Sequence, residues 1–138
     1  MFRDLSNGEL RRFLEDTFKI DNSKLEDEMR EHSYKYAELG VLLAKARAEY
    51  EALKFELQVL EANLGKHFRE SLAKVTEKAV EDAIVRTAEW QEAKRKLIEA
   101  RQEAEILSAL VSALEHKKDM IIGYLSLRKE SARMSREV

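Results

Sequence analysis

Leu25, His32, Leu39, Ala46, Leu53 and Leu60 recur every seven residues, and Met29, Tyr36, Leu43, Tyr50, Leu57 and Leu64 recur every seven in the interleaved register. Alternating steps of four and three keep both sets on one side of an α-helix, which is the pattern of a coiled-coil seam. The pattern predicts one helix over 23–64, about 60 Å long at 1.5 Å per residue. Ser23, with Glu26 three residues later, supplies the capping pair that would start it. His32 stands on the seam, where a polar side chain commonly fixes the register between helices. Gly40 sits beside the seam at a cost of about 1 kcal/mol relative to alanine. Close approach of a neighbouring backbone is the expected compensation.

The flanking patterns are shorter. Ser6 and Glu9 form a capping pair ahead of Leu10, Phe13 and Leu14, so a short helix is expected over 5–18. After Leu64 the spacing shifts, with Phe68 and Leu72 four apart, and Thr76 followed by Glu77 and Glu81 reads as a fresh helix start. Residues 65–87 therefore read as a connection holding one short helix. A second long helix follows over 88–128, with Trp90, Ala93, Leu97, Ala100, Ala104, Leu107, Val111, Leu114, Ile121 and Leu125 on one seam, interrupted by Lys118. Its second half carries a further apolar stripe of Ile106, Leu110, Ala113, Met120, Tyr124 and Leu127, which one partner helix cannot cover. That stripe is the expected surface for self-association. Residues 129–138 have no comparable apolar face and are expected to fray. The predicted fold is all-α: a single domain over 1–138, built as a long antiparallel helical hairpin that oligomerises through its C-terminal helix.

Composition agrees with helix. The 138 residues include no proline and only four glycines, and Ala, Glu, Lys, Leu and Arg are abundant. No apolar run approaches the roughly 20 residues that span a bilayer. A soluble, non-membrane protein is expected, and the absence of cysteine excludes disulfides and thiolate chemistry and suits a reducing cytoplasm. Charge is nearly balanced overall but unevenly spread: 1–63 holds 10 basic and 14 acidic residues, 64–138 holds 15 and 13. Any anion-binding surface must therefore come from clustering.

Catalytic chemistry finds no support. His32, His67 and His116 are far apart with no Glu-x-x-His arrangement, so neither a metal nor another cofactor is expected. No nucleophile and base stand at informative spacing, and no glycine-rich phosphate loop occurs; the reading is non-enzymatic. Trp90 could stack a base, but its seam position favours core packing. The connection is the best binding candidate: Lys66, His67, Arg69, Lys74 and Lys78 gather there against Glu70 and Glu77. They either contact nucleic acid or merely solubilise a turn. The set Lys94-Arg95-Lys96 with Arg101 reads as ordinary surface pairing with Glu89, Glu92, Glu99 and Glu103.

The order of features is similar to that of a known family. A short amphipathic helix, Ile20-Asp21 with Leu25 beyond it, Leu60-Glu61-Ala62-Asn63-Leu64 closing the first long pattern, Trp90, and the run from Ala113 to Ile122 occur in sequence. From about Leu5 to Ser126 the chain resembles phage recombination mediator proteins of the UvsY type. The resemblance implies a homo-oligomer, assembled as a ring through C-terminal helices, that binds single-stranded DNA. It further implies loading of a RecA-like recombinase onto DNA covered by single-strand-binding protein, in DNA recombination and repair in the host cytoplasm. The family's basic DNA-contacting positions match Glu61 and Asn63 here, and a carboxylate cannot hold phosphate. DNA contact is therefore expected at Lys66, His67, Arg69, Lys74 and Lys78, with Lys54 as an addition. The alternative is a coiled-coil scaffold or helical chaperone that binds protein partners without DNA.

Overall fold

A computed structural model describes residues 1–73 and 75–137, and among them the regular structure is entirely helical. Four α-helices follow in order: α1 over Asn7–Phe18, α2 over Leu25–Ser71, α3 over Glu77–Val85 and α4 over Ala88–Glu137. Single 3₁₀ turns at Phe2–Asp4 and Asn22–Lys24 precede α1 and α2. The chain expected to form one domain clusters into two compact units, Met1–Leu43 with Glu105–Val138, and Ala44–Ala104. Both long helices contribute to each.

In the first unit, α1 begins with the anticipated capping box: Ser6 Oγ accepts from the Glu9 amide, and Glu9 reaches back to the Ser6 amide. The start of α2 differs from expectation. Ser23 lies inside the 3₁₀ turn that leads into α2, and Asp21 caps that turn, its Oδ1 accepting from the Ser23 amide at 2.9 Å and the Ser23 hydroxyl at 2.6 Å. These hydrogen bonds hold the Asp21 carboxyl below the usual carboxylate range. Leu25, Leu39 and Leu43 of α2 and Leu107, Leu110, Leu114 and Ile121 of α4 are the buried apolar side chains of this unit. The two helices run antiparallel: Glu26 pairs with Arg128, while His32 bonds to Leu114.

The polar seam residue behaves as the sequence suggests. His32 is buried and its Nε2 lies 2.7 Å from the Leu114 carbonyl, which can only accept, so Nε2 carries the hydrogen. Its ring stacks on Tyr36, whose hydroxyl donates to Glu115 Oε1 at 2.9 Å. That bond raises the Tyr36 phenol above its ordinary range. The interruption of the second seam falls on Lys117 rather than Lys118: Lys117 is buried, and Lys118 is exposed.

Two expectations for this unit are corrected. Leu110 is buried inside the chain and unavailable for self-association, and Ala113, Met120 and Tyr124 share a cleft with Phe18 and Ile20 from the end of α1 and the link after it. The second neighbour demanded by the stripe is in part α1 itself. Ile106 is half-buried; Met120 and Leu127 remain exposed. The tail expected to fray is helical through Glu137, exposed throughout and supported by an Arg133–Glu130 pair at 2.7 Å.

Gly40 is the other departure. A Cβ built there meets nothing within 4 Å, so no backbone approaches it closely. With helical φ and open space, Gly40→Ala should raise stability by about 0.5–1 kcal/mol. Urea unfolding checks this, and a fall in stability would reveal a close neighbour that the fold does not display.

In the second unit, α2 continues past the expected break at Leu64 to Ser71. Phe68 and Leu72 continue from Leu64 at steps of four, which rotates the apolar stripe gradually without ending the helix. Gly65 is accommodated with negative φ, and its missing side chain leaves room for the Arg69 guanidinium, 3.2 Å from where a Cβ would stand. Thr76 caps α3 as anticipated, accepting from the Ala79 amide at 3.1 Å. Thr87 then caps α4 by accepting from the Trp90 amide and donates to the Ile84 carbonyl, joining two helices through one hydroxyl. Val80 and Ile84 of α3 are buried, as are Leu57 of α2 and Leu97 of α4.

Candidate nucleic-acid interface

The described members of the sequence-derived cationic set lie in the second unit, but they do not form one face. Lys66, His67 and Arg69 occupy the last turns of α2, and Lys78 the first turn of α3. At 3.6 residues per turn His67 points about 100° away from Lys66 and about 160° from Arg69. Arg69 is committed to Glu77 at 3.2 Å, and Lys78 is flanked in sequence by Glu77 and Glu81. The ring of His67 packs edge-on against Phe68. Lys74 lies outside the described residues. Local pairing therefore offsets part of the positive charge at this end.

Lys54 belongs to a different place. It lines a groove of about 310 Å³ between α2 and α4, together with Tyr50, Glu61, Lys94, Ile98 and Arg101. Three cations meet one carboxylate there, and Lys54 Nζ lies 5.9 Å from the centre of the Tyr50 ring. Glu61 is engaged by the indole of Trp90, whose Nε1 donates to it across 3.4 Å. Trp90 is half-buried against α2, which is the packing role expected of it.

The other side of the same helix pair has the opposite character. A second groove is lined by Leu53, Glu56, Leu60, Glu89, Glu92 and Lys96, three carboxylates to one cation. The basic triplet of α4 is split by helical geometry: Lys94 enters the cationic groove, Lys96 the acidic one, and Arg95 is held by Glu92 and Glu99 on its own helix. Arg95 accordingly depresses the Glu92 carboxyl, and Glu92 raises the guanidinium. Pairing within one helix, expected for Lys94, Arg95, Lys96 and Arg101, is displayed by Arg95 with Glu92 and Glu99. Lys94 and Arg101 were missed as site candidates because their convergence with Lys54 depends on how α4 packs against α2. The one signal in sequence was their spacing of seven, which places both on the same side of α4.

Among the described residues no group of three metal-ligating side chains converges, and no helix is long and apolar enough to cross a membrane. Comparison with family models, curated proteins and solved structures returned no match.

Proposed function

We propose that the chain is a recombination mediator that binds single-stranded DNA through the cationic groove of the second unit and promotes loading of a RecA-like recombinase. The observation that carries this reading is the position of Glu61. It matches a DNA-contacting position of the family that the chain resembles, and it lines the groove where Lys54, Lys94 and Arg101 converge. Positive charge missing at Glu61 and Asn63 is thus supplied by neighbouring positions on both helices. Such a groove favours a phosphate backbone, and Tyr50 at its edge offers an aromatic face to a base of any sequence. Lys66 and Lys78 would add contacts beyond the groove.

The activity is binding and positioning: many weak phosphate contacts from an oligomer present the strand while single-strand-binding protein leaves and the recombinase nucleates. No covalent step is needed. The test is fluorescence anisotropy with single-stranded oligonucleotides over a salt series, alongside recombinase filament formation on covered DNA. Neutralising Lys54, Lys94 and Arg101 together should flatten the log-log salt slope by about 0.7 for every phosphate that is no longer neutralised. Glu61→Arg should steepen it and tighten binding. If the triple substitution leaves slope and affinity unchanged while Lys66 and Lys78 substitutions lower them, the groove is excluded as the site. Absence of salt-sensitive binding in the unaltered protein would favour the protein-binding scaffold.

A further inference from the structure

Glu61 is the anomaly of the cationic groove. Lys54, Lys94 and Arg101 attract phosphate, yet a carboxylate that repels it lines the same groove. A carboxylate among cations is ordinarily held in an ion pair, but among the described residues Glu61 forms none with Lys54 or Lys94. Its contact in the fold is with a neutral group. The Trp90 indole reaches Oε1 across 3.4 Å, longer than the usual range for an N–H···O bond, and engages that oxygen only. Glu61 is exposed, so its carboxylate is open to a ligand. Trp90 also fixes what stands beside it. Lys94 follows Trp90 by four residues, which brings an ammonium to the same side of α4 about 6 Å further along the helix.

An acceptor next to a cation fits a feature of nucleic acid that phosphate contacts ignore. On the Watson–Crick edges of adenine, cytosine and thymine, a single donor position lies beside a ring nitrogen or carbonyl acceptor, which a carboxylate repels. Guanine alone offers two neighbouring donors, N1–H and the N2 amino group, with the O6 acceptor beyond them. A carboxylate takes both donors at once, and an ammonium donates to O6. In a duplex that edge is used by cytosine, and the carboxylate is left facing phosphates. We propose that Glu61, with Lys94, selects guanine in single-stranded DNA and disfavours duplex. The proposal rests on the groove being the DNA site. Glu61 stands about 16 Å along α2 from Tyr50, so the guanine is a different nucleotide from any base stacked on Tyr50. The cations thus set affinity for any strand, and Glu61 lowers it for strands that offer no guanine.

Fluorescence anisotropy on the full chain tests this with three probes. They are a thymine-rich strand carrying isolated guanines, the same strand with hypoxanthine at each guanine, and the first strand annealed to its complement. Hypoxanthine removes the N2 amino group and leaves N1–H, O6 and every phosphate in place. The guanine strand should bind about fivefold more tightly than the hypoxanthine strand, the low end for a bidentate base contact. In Glu61→Gln that ratio should fall to about one, since the charged acceptor is gone. The hypoxanthine strand and the duplex should both bind Glu61→Gln more tightly than the unaltered protein, because a negative charge has left the groove. Circular dichroism checks the fold of the variant, and the comparison of strands on the unaltered protein needs no variant at all. Salt-sensitive binding with equal affinity for guanine and hypoxanthine strands overturns the guanine contact alone and leaves the groove as the DNA site. A preference that persists in Glu61→Gln overturns its assignment to Glu61. Absence of salt-sensitive binding to every strand overturns the mediator reading and this inference together.

Discussion

Lys117→Ala is expected to lower the stability of the protein by about 3 kcal/mol, at the lower end of the range for breaking a buried ion pair. Lys117 is only 4% exposed, and its ammonium is held by two groups from two other helices. It donates to the carbonyl of Thr17 at 2.8 Å and lies 2.8 Å from Oε2 of Glu28. Thr17 is in the last turn of α1, where carbonyls lack an intrahelical partner, so Lys117 acts as the C-terminal cap of α1. The contact with Glu28 is ionic and off the hydrogen-bonding axis, which leaves Oε2 with no directed partner. Truncation would thus strand a largely buried carboxylate and an uncapped helix end together. Glu28 keeps some access to water, which places the effect at the lower end of the range. Urea unfolding should show the loss, and amide exchange should quicken first in α1. Lys117→Met with Glu28→Leu should recover most of it, since apolar groups of similar volume remove both buried charges. A single substitution that costs under 1 kcal/mol would mean that Lys117 does not anchor α1.

The hairpin was legible because it depends on a period. Steps of three and four along 25–64 and 90–125 specify helices and their buried faces whatever the partner, and His32, Leu57, Leu97 and Leu114 are buried as those seams require. What could not be read were features depending on which surfaces meet. Lys117 and Lys118 are adjacent charges in an apolar run; one is buried only because α1 brings the Thr17 carbonyl to it. Ala113, Met120 and Tyr124 read as free for association because the sequence does not show that Phe18 and Ile20 share a cleft with them. The boundary after Leu64 was misplaced for a different reason. A change of apolar spacing imitates a helix end, and only the backbone shows that α2 drifts through it to Ser71. The site is legible as a region and not as a set: Lys54 stands out in sequence, whereas Lys94 and Arg101 lie among Glu89, Glu92, Glu99 and Glu103, and only the packing of α4 on α2 brings them to the groove that Lys54 lines. Charges clustered in sequence around 66–78 proved to be distributed around two helices, whereas the groove gathers charges 47 positions apart, from Lys54 to Arg101.

Leu114→Ala should cost about 2–5 kcal/mol, because the side chain is completely buried and its removal forfeits transfer energy and leaves a cavity. The position is unusually poor at relaxing. Its carbonyl accepts from the buried His32 ring, which is itself stacked on Tyr36, so α2 and α4 are pinned together at this level by more than apolar contact. A cavity that cannot collapse lies toward the upper end of the range. Leu127 supplies the contrast on the same helix: it is 66% exposed, and Leu127→Ala should change the stability of the isolated chain by less than about 0.5 kcal/mol. Both variants can be compared by chemical denaturation at a concentration low enough to keep copies apart, and then at a high one. If Leu127→Ala becomes destabilising only at high concentration, the exposed end of the second stripe contributes to association, as the sequence pattern led us to expect. If Leu114→Ala proves nearly neutral at both concentrations, the side chain does not occupy the core position from which the packing of α2 on α4 in this unit is built.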